Sequence, residues 1–251
     1  MATAIAQPDT PVKTSPALPA RRYDNYFFMG MGLLMAATVF VGFAPSYYLA
    51  GMFRAPLPSL IIHVHGAVFT GWILLFITQT SLVSAGRVDI HRRLGVVAFF
   101  WACLMVVVGV LAATDSLVRE AGPPVRDPKF FYIIPLSDML VFAPLIYFAF
   151  RARRDPATHK RLILVATIDL LIAAIARWPV AFVHRNAGHA GMVSCLFLLL
   201  LVAYDLWSMH KVHRATLWAS ALMIFVYAVR IPIGKTQAWH AFAGWVQSVA
   251  R

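Results

Sequence analysis

Nine histidines are the side chains of this 251-residue chain best suited to chemistry, because neutral imidazole binds haem iron, copper and zinc. With the apolar runs described below placed in a membrane, five fall near the outer face: His63, His65, His184, His189 and His240. Four fall near the cytoplasmic face: His91, His159, His210 and His213. Two such layers would suit two metal centres, haem b or another metal, that pass electrons across the membrane. The expected ligands are His65 with His184, His189 or His240 outside, and His91 with His159 or His213 inside.

The spacing of the histidines limits these sites. His63 and His65 are two residues apart, so on a helix their side chains point about 200° apart and at most one can bind a given ion directly. His65, Trp72 and Gln79 follow one another at intervals of seven residues and so lie on one face of a helix, which makes His65 the better inward-facing candidate. A core histidine with a hydrogen-bonded neighbour explains the stripe equally well. For the cytoplasmic histidines, the alternative is placement among lipid headgroups beside Arg and Lys.

Among the charged residues of the apolar runs, four are candidates for function: Asp138, Asp169, Arg177 and Arg230. A charge near the bilayer centre costs about 2.5 to 3.5 kcal/mol on insertion scales, so these side chains should face the interior of a bundle. Asp169 and Arg177 would lie about 12 Å apart along a continuous helix and about 80° around it, and could line one side of a cavity. These residues predict a path for protons, ions or an anionic substrate, or ion pairs that join helices. Asp205 is expected at the membrane interface.

The elements that carry these residues are strongly apolar. Hydrophobic residues make up 61% of the chain and charged residues 13%, against about 45 to 50% and about 25% in a soluble domain. Because about 20 apolar residues span the roughly 30 Å hydrocarbon core, the sequence predicts an all-α bundle of seven transmembrane helices. The predicted spans are Tyr26–Ala50, Leu60–Ser84, Leu94–Thr114, Phe130–Phe150, Leu162–Val183, Gly191–Trp207 and Ala215–Gly234.

The basic residues predict the orientation of this bundle. With the N-terminus in the cytoplasm, most of the 22 Lys and Arg fall in cytoplasmic segments, where positive charge is retained during insertion. This bias explains why Lys and Arg outnumber the 10 Asp and Glu residues. The expected partner of the basic residues is therefore the lipid bilayer and not nucleic acid. Residues 1–24 are polar and rich in proline, and we expect a flexible cytoplasmic tail before a single transmembrane domain at 25–251. Asp155 followed by Pro156 predicts a helix start.

A short motif recurs along the chain. His91-Arg92-Arg93-Leu94, His159-Lys160-Arg161-Leu162 and His213-Arg214 each precede a predicted helix, and Arg177-Trp178-Pro179 and Arg230-Ile231-Pro232 each end one. The recurrence suggests that the six helices after the first form three related hairpins, as in some transport and redox folds. Basic helix starts and prolines near helix ends, selected for topology alone, would produce the same pattern.

Residues 60–100 resemble part of a bacterial family of multi-pass inner-membrane proteins of unknown function. The resemblance is carried by His63-x-His65-Gly66 and by His91-Arg92-Arg93-Leu94-Gly95. It implies a bacterial inner-membrane protein and no particular activity. Motifs of zinc proteases, di-iron membrane enzymes, serine hydrolases and phosphate-binding loops do not occur, so the sequence identifies no reaction.

Three hypotheses of function follow from these residues. The first is a redox protein that binds haem or metal through the two layers of histidines. The second is a proton-coupled transporter that uses the intramembrane Asp and Arg residues. The third is an accessory or assembly subunit of a larger membrane complex, in which the polar residues only join helices.

Overall fold

The computed structural model describes residues 20–56, 58–121, 127–184 and 187–251. Within these ranges all the regular secondary structure is helical, which confirms the all-α prediction there. The helices are α1 (Ala20–Phe43), a π-helical turn (Ala44–Tyr48), α2 (Leu60–Ser84), α3 (Val88–Val118), α4 (Pro128–Arg151), α5 (Pro156–Asp169), α6 (Ile172–Ile175), α7 (Ala187–Met209), α8 (Arg214–Gly234) and α9 (Gln237–Val249). Most of the predicted tail at 1–24 lies outside the described residues.

Six segments of the described chain are long and apolar enough to cross a membrane. They are Tyr23–Tyr48, Leu60–Ser84, Val88–Val118, Pro128–Arg151, Gly188–Met209 and Arg214–Gly234, and they match six of the seven predicted spans. The exception is the predicted fifth span, Leu162–Val183. There α5 ends at Asp169, α6 is only 4 residues long, and 176–184 are turns and irregular backbone.

The side chains of the long helices are sorted as a bilayer requires. Large apolar side chains point outward, among them Leu140, Trp218 and Phe225 with 72%, 69% and 63% of their surface exposed. Buried charged residues, including Asp138 and Asp169, lie inside the bundle. The apolar surface therefore faces lipid, and the charges avoid it, as the sequence predicted for these two residues.

The centre of the bundle is formed by α4 and α5. α2 packs against α3, and α4 packs against both α3 and α5. α8 packs more extensively against α4 and α5 than against α7, its partner in the predicted third hairpin. The three predicted hairpins therefore differ in packing, and α8 contacts the two helices that carry the buried aspartates.

The start of α5 has the predicted cap. Asp155 Oδ1 accepts hydrogen bonds from the backbone N–H groups of Ala157 and Thr158, and Pro156 occupies the first turn. The Thr158 hydroxyl donates to Asp155 Oδ2 at 2.6 Å, and these bonds hold the pKa of the exposed Asp155 carboxyl below its usual range. The cap sets where α5 enters the bundle.

Helix α9 was not predicted and is amphipathic. It packs across the end of the bundle where α3 ends and α4 begins, and Ala243 is fully buried there. The Trp239 indole donates to the Lys129 carbonyl at 2.7 Å, and the Gln247 amide donates to the Leu117 carbonyl at 3.2 Å. Trp245 on its other side is 61% exposed. Aromatic side chains of this kind favour the membrane interface.

Candidate functional site

The break between α5 and α6 places Asp169 at the end of a helix inside the bundle. After Asp169 the backbone tightens, and the N–H groups of Leu171 and Ala174 each bond to the carbonyl three residues earlier, at 3.0 Å. Asp169 is 13 residues from the first residue of α5, a rise of about 20 Å. Broken helices occur at membrane depth only where the backbone is buried in protein or lines a polar cavity.

Tyr227 of α8 satisfies the backbone at this break. Its hydroxyl donates to the main-chain carbonyl of Asp169 at 3.0 Å, so a carbonyl near the end of α5 has a side-chain partner. The aromatic ring of Tyr227 contacts Arg230, whose guanidinium lies over the ring at 3.9 Å from its centre. One face of α8 therefore contacts both the broken helix and the charged residues described next.

Arg230 forms a buried ion pair with Asp138 of α4. Arg230 donates to Asp138 Oδ1 at 2.7 Å and to the Ser137 hydroxyl at 3.4 Å. Asp138 and Arg230 are 6% and 5% exposed, so water screens their charges poorly. The pair is electrically neutral as a unit and joins α4 to α8.

Asp169 is fully buried beside this pair, and in the described part of the chain neither of its carboxylate oxygens has a hydrogen-bond partner. It lies within electrostatic range of both Asp138 and Arg230. Two carboxylates therefore lie near one guanidinium, which donates to only one of them, Asp138. A buried carboxylate without a partner is costly when it is ionised and much less so when it carries a proton.

Arg177 does not lie where a continuous helix would place it. Because the helix breaks after Asp169, the expected spacing of about 12 Å and about 80° does not apply. Arg177 is exposed, its guanidinium lies 4.7 Å from the Phe43 ring centre, and it donates to the Ala173 carbonyl at 2.6 Å. The buried cluster consists instead of Asp138, Asp169, Tyr227 and Arg230, and we call it the Asp–Arg cluster.

A second buried ion pair joins α5 to α7. Arg161 donates to Asp205 Oδ1 through Nε at 2.9 Å and through a terminal nitrogen at 2.6 Å. Asp205 Oδ2 also accepts from the backbone N–H of His213 at 3.0 Å and from the Thr216 hydroxyl at 2.6 Å. Asp205, expected at the interface, is thus fully buried with both oxygens satisfied. This arrangement suits a structural anchor.

Two of the predicted inner histidines lie close together. The ring centroids of His91 and His159 are 6.4 Å apart. His159 Nδ1 lies 2.8 Å from the Ala149 carbonyl, and the Gln79 amide can donate to His91 Nδ1 at 2.9 Å while accepting from the Gly95 N–H at 3.0 Å. His213 has another role, since its Nδ1 accepts from the Ala215 N–H and caps α8.

The predicted outer histidines are held in different ways. His63 is exposed, whereas His65 is half-buried against Phe69, and its Nδ1 has no hydrogen-bond partner among the described residues. His184 and His189 each contact a backbone carbonyl through Nδ1, at 3.1 and 2.6 Å. His240 lies 3.1 Å from Asp127 Oδ2. Across 20–56, 58–121, 127–184 and 187–251, no three His, Cys, Asp or Glu side chains form a group that could hold a metal ion. The haem and metal centres stay predictions.

No relative identifies the chain. It matches no family model, and no curated protein or solved structure is significantly similar to it. The function of the chain must therefore follow from the geometry of its own side chains.

Sequence reasoning missed Tyr227, Arg161 and the burial of Asp205. Tyr227 precedes Arg230 by three residues, so helical spacing places both on one face of α8 and could have indicated their association. Arg161 is one of several basic residues at a helix start, and no local pattern distinguishes it from its neighbours. Its partner, Asp205, is 44 residues away and is brought to it only by the packing of α5 against α7.

Proposed function

We propose that this protein is a proton-coupled membrane carrier and that Asp169 is its proton-binding group. The observation that carries the proposal is the unpartnered, fully buried carboxylate at a helix break, beside an ion pair that needs only one of two available aspartates. Ionisable residues inside membrane bundles commonly serve proton or ion pathways, and discontinuous helices commonly form the binding sites of carriers.

The chemistry of the cycle is an exchange of ion-pair partners. While Asp169 holds a proton, Arg230 pairs with Asp138 and the Asp–Arg cluster is neutral. Loss of that proton leaves two carboxylates competing for one guanidinium, and Arg230 moves toward Asp169 to share its charge. Because Asp138 is on α4, Asp169 on α5 and Arg230 on α8, the exchange changes how α8 packs against its two neighbours.

The broken helix supplies the element that moves. Residues 170 and 171 form a turn and α6 has only 4 residues, so fewer regular backbone hydrogen bonds resist a change of angle there than in a continuous helix. The Tyr227 hydroxyl on the Asp169 carbonyl ties this break to α8. Protonation of Asp169 is thereby linked to the position of a transmembrane helix, which is the coupling a carrier requires.

Infrared spectroscopy and proton flux together test the proposal. We expect purified protein to show the C=O stretch of a protonated carboxyl that disappears in Asp169→Asn. In proteoliposomes loaded with a pH-sensitive dye, a panel of organic anions, amines and metal cations should include one class that accelerates the decay of an imposed pH gradient. Asp169→Asn should abolish that acceleration, while Asp89→Asn, which alters an exposed ion pair, should retain it.

Asp138→Asn tests the exchange of partners. With only one carboxylate left, Arg230 should pair permanently with an ionised Asp169, and the infrared band of the protonated carboxyl should disappear although Asp169 is present. Flux should be lost while the protein still elutes as a folded species. An unchanged band in Asp138→Asn, or equal flux in Asp169→Asn and the wild type, would contradict the mechanism.

The setting that we infer is the bacterial inner membrane with the N-terminus in the cytoplasm. The Lys and Arg bias and the resemblance of residues 60–100 support it, and the six apolar segments supply six membrane crossings. The hypotheses of a haem-binding redox protein and of an accessory subunit stay predictions. An optical spectrum of the purified protein tests the first, and co-purification of partner subunits tests the second.

A further inference from the structure

An open cleft of about 340 Å³ lies where α2 begins and α3 ends. It is lined by Ile61 of α2, by Leu111, Thr114, Asp115 and Val118 of α3, and by Ala250 after α9. The hydroxyl of Ser59, the residue before α2, donates to Asp115 Oδ2 at 3.1 Å, so the two helix ends lie at the same depth. Because α2 and α3 are both long and apolar enough to cross the membrane, the cleft lies near the lipid headgroups.

A carboxylate and a guanidinium lie side by side at this cleft. Arg119 donates to Asp115 Oδ2 through Nε, at 2.9 Å, and through one terminal nitrogen. Ser59 donates to the same oxygen, whereas Asp115 Oδ1 and the second terminal nitrogen of Arg119 have no hydrogen-bond partner among the described residues. The side chains of Asp115 and Arg119 are 26% and 43% exposed. The pair therefore offers one acceptor and one donor to a ligand.

The chemistry of this pair matches a headgroup that carries both a cation and an anion. A carboxylate oxygen only accepts, so Asp115 Oδ1 suits an ammonium group with N–H donors, and the Arg119 guanidinium suits a phosphate. Because Asp115 and Arg119 neutralise each other, a headgroup with a net charge is attracted weakly. A zwitterion places each of its charges beside an opposite one.

Apolar surface continues from the cleft along α3. Leu111 lies one turn from Asp115 and is 51% exposed, and Val107, Leu104 and Phe100 continue the same exposed face toward the other end of the helix. Their spacings of three and four residues place them in one row on the helix surface. A hydrocarbon chain attached to the headgroup can lie along this row. The cleft is therefore suited to an amphipathic ligand and not to a small free ion.

We propose that the cleft binds the headgroup of phosphatidylethanolamine, with the ammonium on Asp115, the phosphate on Arg119 and an acyl chain along Leu111. The ammonium of ethanolamine has three N–H donors, whereas the trimethylammonium of choline has none. The glycerol headgroup of phosphatidylglycerol has no cation. This site is separate from Asp169, and lipid binding does not depend on proton-coupled transport.

Native mass spectrometry of the full chain in detergent tests the site with three lipids that share the same acyl chains. One phosphatidylethanolamine should bind about 10-fold to 100-fold more tightly than phosphatidylcholine or phosphatidylglycerol, as expected for a hydrogen bond between charged groups. Asp115→Asn should bind the three lipids about equally. Free phosphoethanolamine at the same concentration should not displace the lipid, because it has no acyl chain to occupy the apolar surface.

Photo-crosslinking locates the site in the wild-type protein and needs no variant. A phosphatidylethanolamine with a photoreactive group near its headgroup should label the peptide that contains residues 111–119. Unlabelled phosphatidylethanolamine should suppress this labelling, and phosphatidylglycerol should not.

Two matched variants serve as controls. Asp89→Asn makes the same change in an exposed ion pair at the other end of α3 and should keep the lipid preference. Asp169→Asn should keep it too, so that failure of the transport proposal and failure of this one are distinguishable. Equal binding of the three lipids by the wild-type protein, an unchanged preference in Asp115→Asn, displacement by the free headgroup, or labelling elsewhere would overturn the proposal.

Discussion

At the scale of single residues, two fully buried aspartates have opposite surroundings. Asp205 accepts four hydrogen bonds, two from Arg161, one from the His213 backbone and one from Thr216. Asp169 accepts none at its carboxylate from the described residues. A fully satisfied buried carboxylate stabilises one arrangement of helices, whereas an unsatisfied one changes its surroundings when it gains or loses a proton. This contrast separates the anchor from the proposed proton site.

Removal of the anchor carboxylate should destabilise the protein strongly. Asp205→Ala leaves the Arg161 guanidinium buried and unpaired, so we expect the free energy of unfolding to fall by about 3–5 kcal/mol. The matched control is Asp89→Ala, because Asp89 pairs with Arg87 at 3.7 Å and both side chains are more than half exposed. That change should cost less than about 1 kcal/mol. Reversible unfolding in mixed micelles measures both, and equal costs would refute the anchor role.

At the scale of elements, α1 and the broken helix approach each other through a glycine. A Cβ atom built on Gly42 would lie 2.8 Å from the backbone carbonyl carbon of Ala174 in α6. Close contact between backbones gives membrane helices much of their packing energy, because lipid tails remove the hydrophobic drive for association. Gly42 therefore determines how near the irregular segment can lie to α1.

Substitution at this contact should separate the two elements. Gly42→Ala overpacks the contact, and we expect a loss of about 1–3 kcal/mol in the free energy of unfolding. Gly30→Ala in the same helix meets no heavy atom within 4 Å and should be neutral or stabilising by up to about 1 kcal/mol through helix propensity. Thermal unfolding midpoints of the two variants provide the comparison. A stable Gly42→Ala protein would show that the contact is loose.

At the scale of the whole molecule, the broken element runs alongside α1. Lys160 at the start of α5 pairs with Asp24 at 2.5 Å, and the Trp178 indole beyond α6 donates to the Thr38 carbonyl at 3.2 Å. Asp24 and Thr38 are about 20 Å apart along α1. The contact between Gly42 and Ala174 extends the region of α1 that the broken element contacts by a further turn. These contacts favour α5 and α6 together as the seventh crossing of the bilayer.

The position of the chain termini tests this count. Seven crossings place the N-terminus and the C-terminus on opposite faces of the membrane, whereas six place them on the same face. We expect a fluorescent protein fused before residue 1 to fluoresce in the cytoplasm, and alkaline phosphatase fused after residue 251 to be active outside it. Activity of the same cytoplasmic reporter at both ends would exclude the seventh crossing and the predicted topology together.

The sequence by itself determined the long helices and the inward placement of Asp138 and Asp169. Both follow from a local balance of free energy, since apolar runs of about 20 residues favour the bilayer and a charge facing lipid is costly. The helix start at Asp155 was predictable for the same reason, because a capping carboxylate acts only on its own first turn.

Only the tertiary structure decided where the fifth span breaks and which charges pair. The break falls at two leucines, Leu170 and Leu171, and not at a glycine or proline that would mark it in the sequence. The hydroxyl that bonds to the Asp169 carbonyl at the break comes from Tyr227 of another helix. The pairing of Arg230 with Asp138, and of Arg161 with Asp205, depends on which helices are neighbours. Helix neighbours are chosen by packing over the whole bundle, and that sum of many small contacts leaves no signature in a short stretch of sequence.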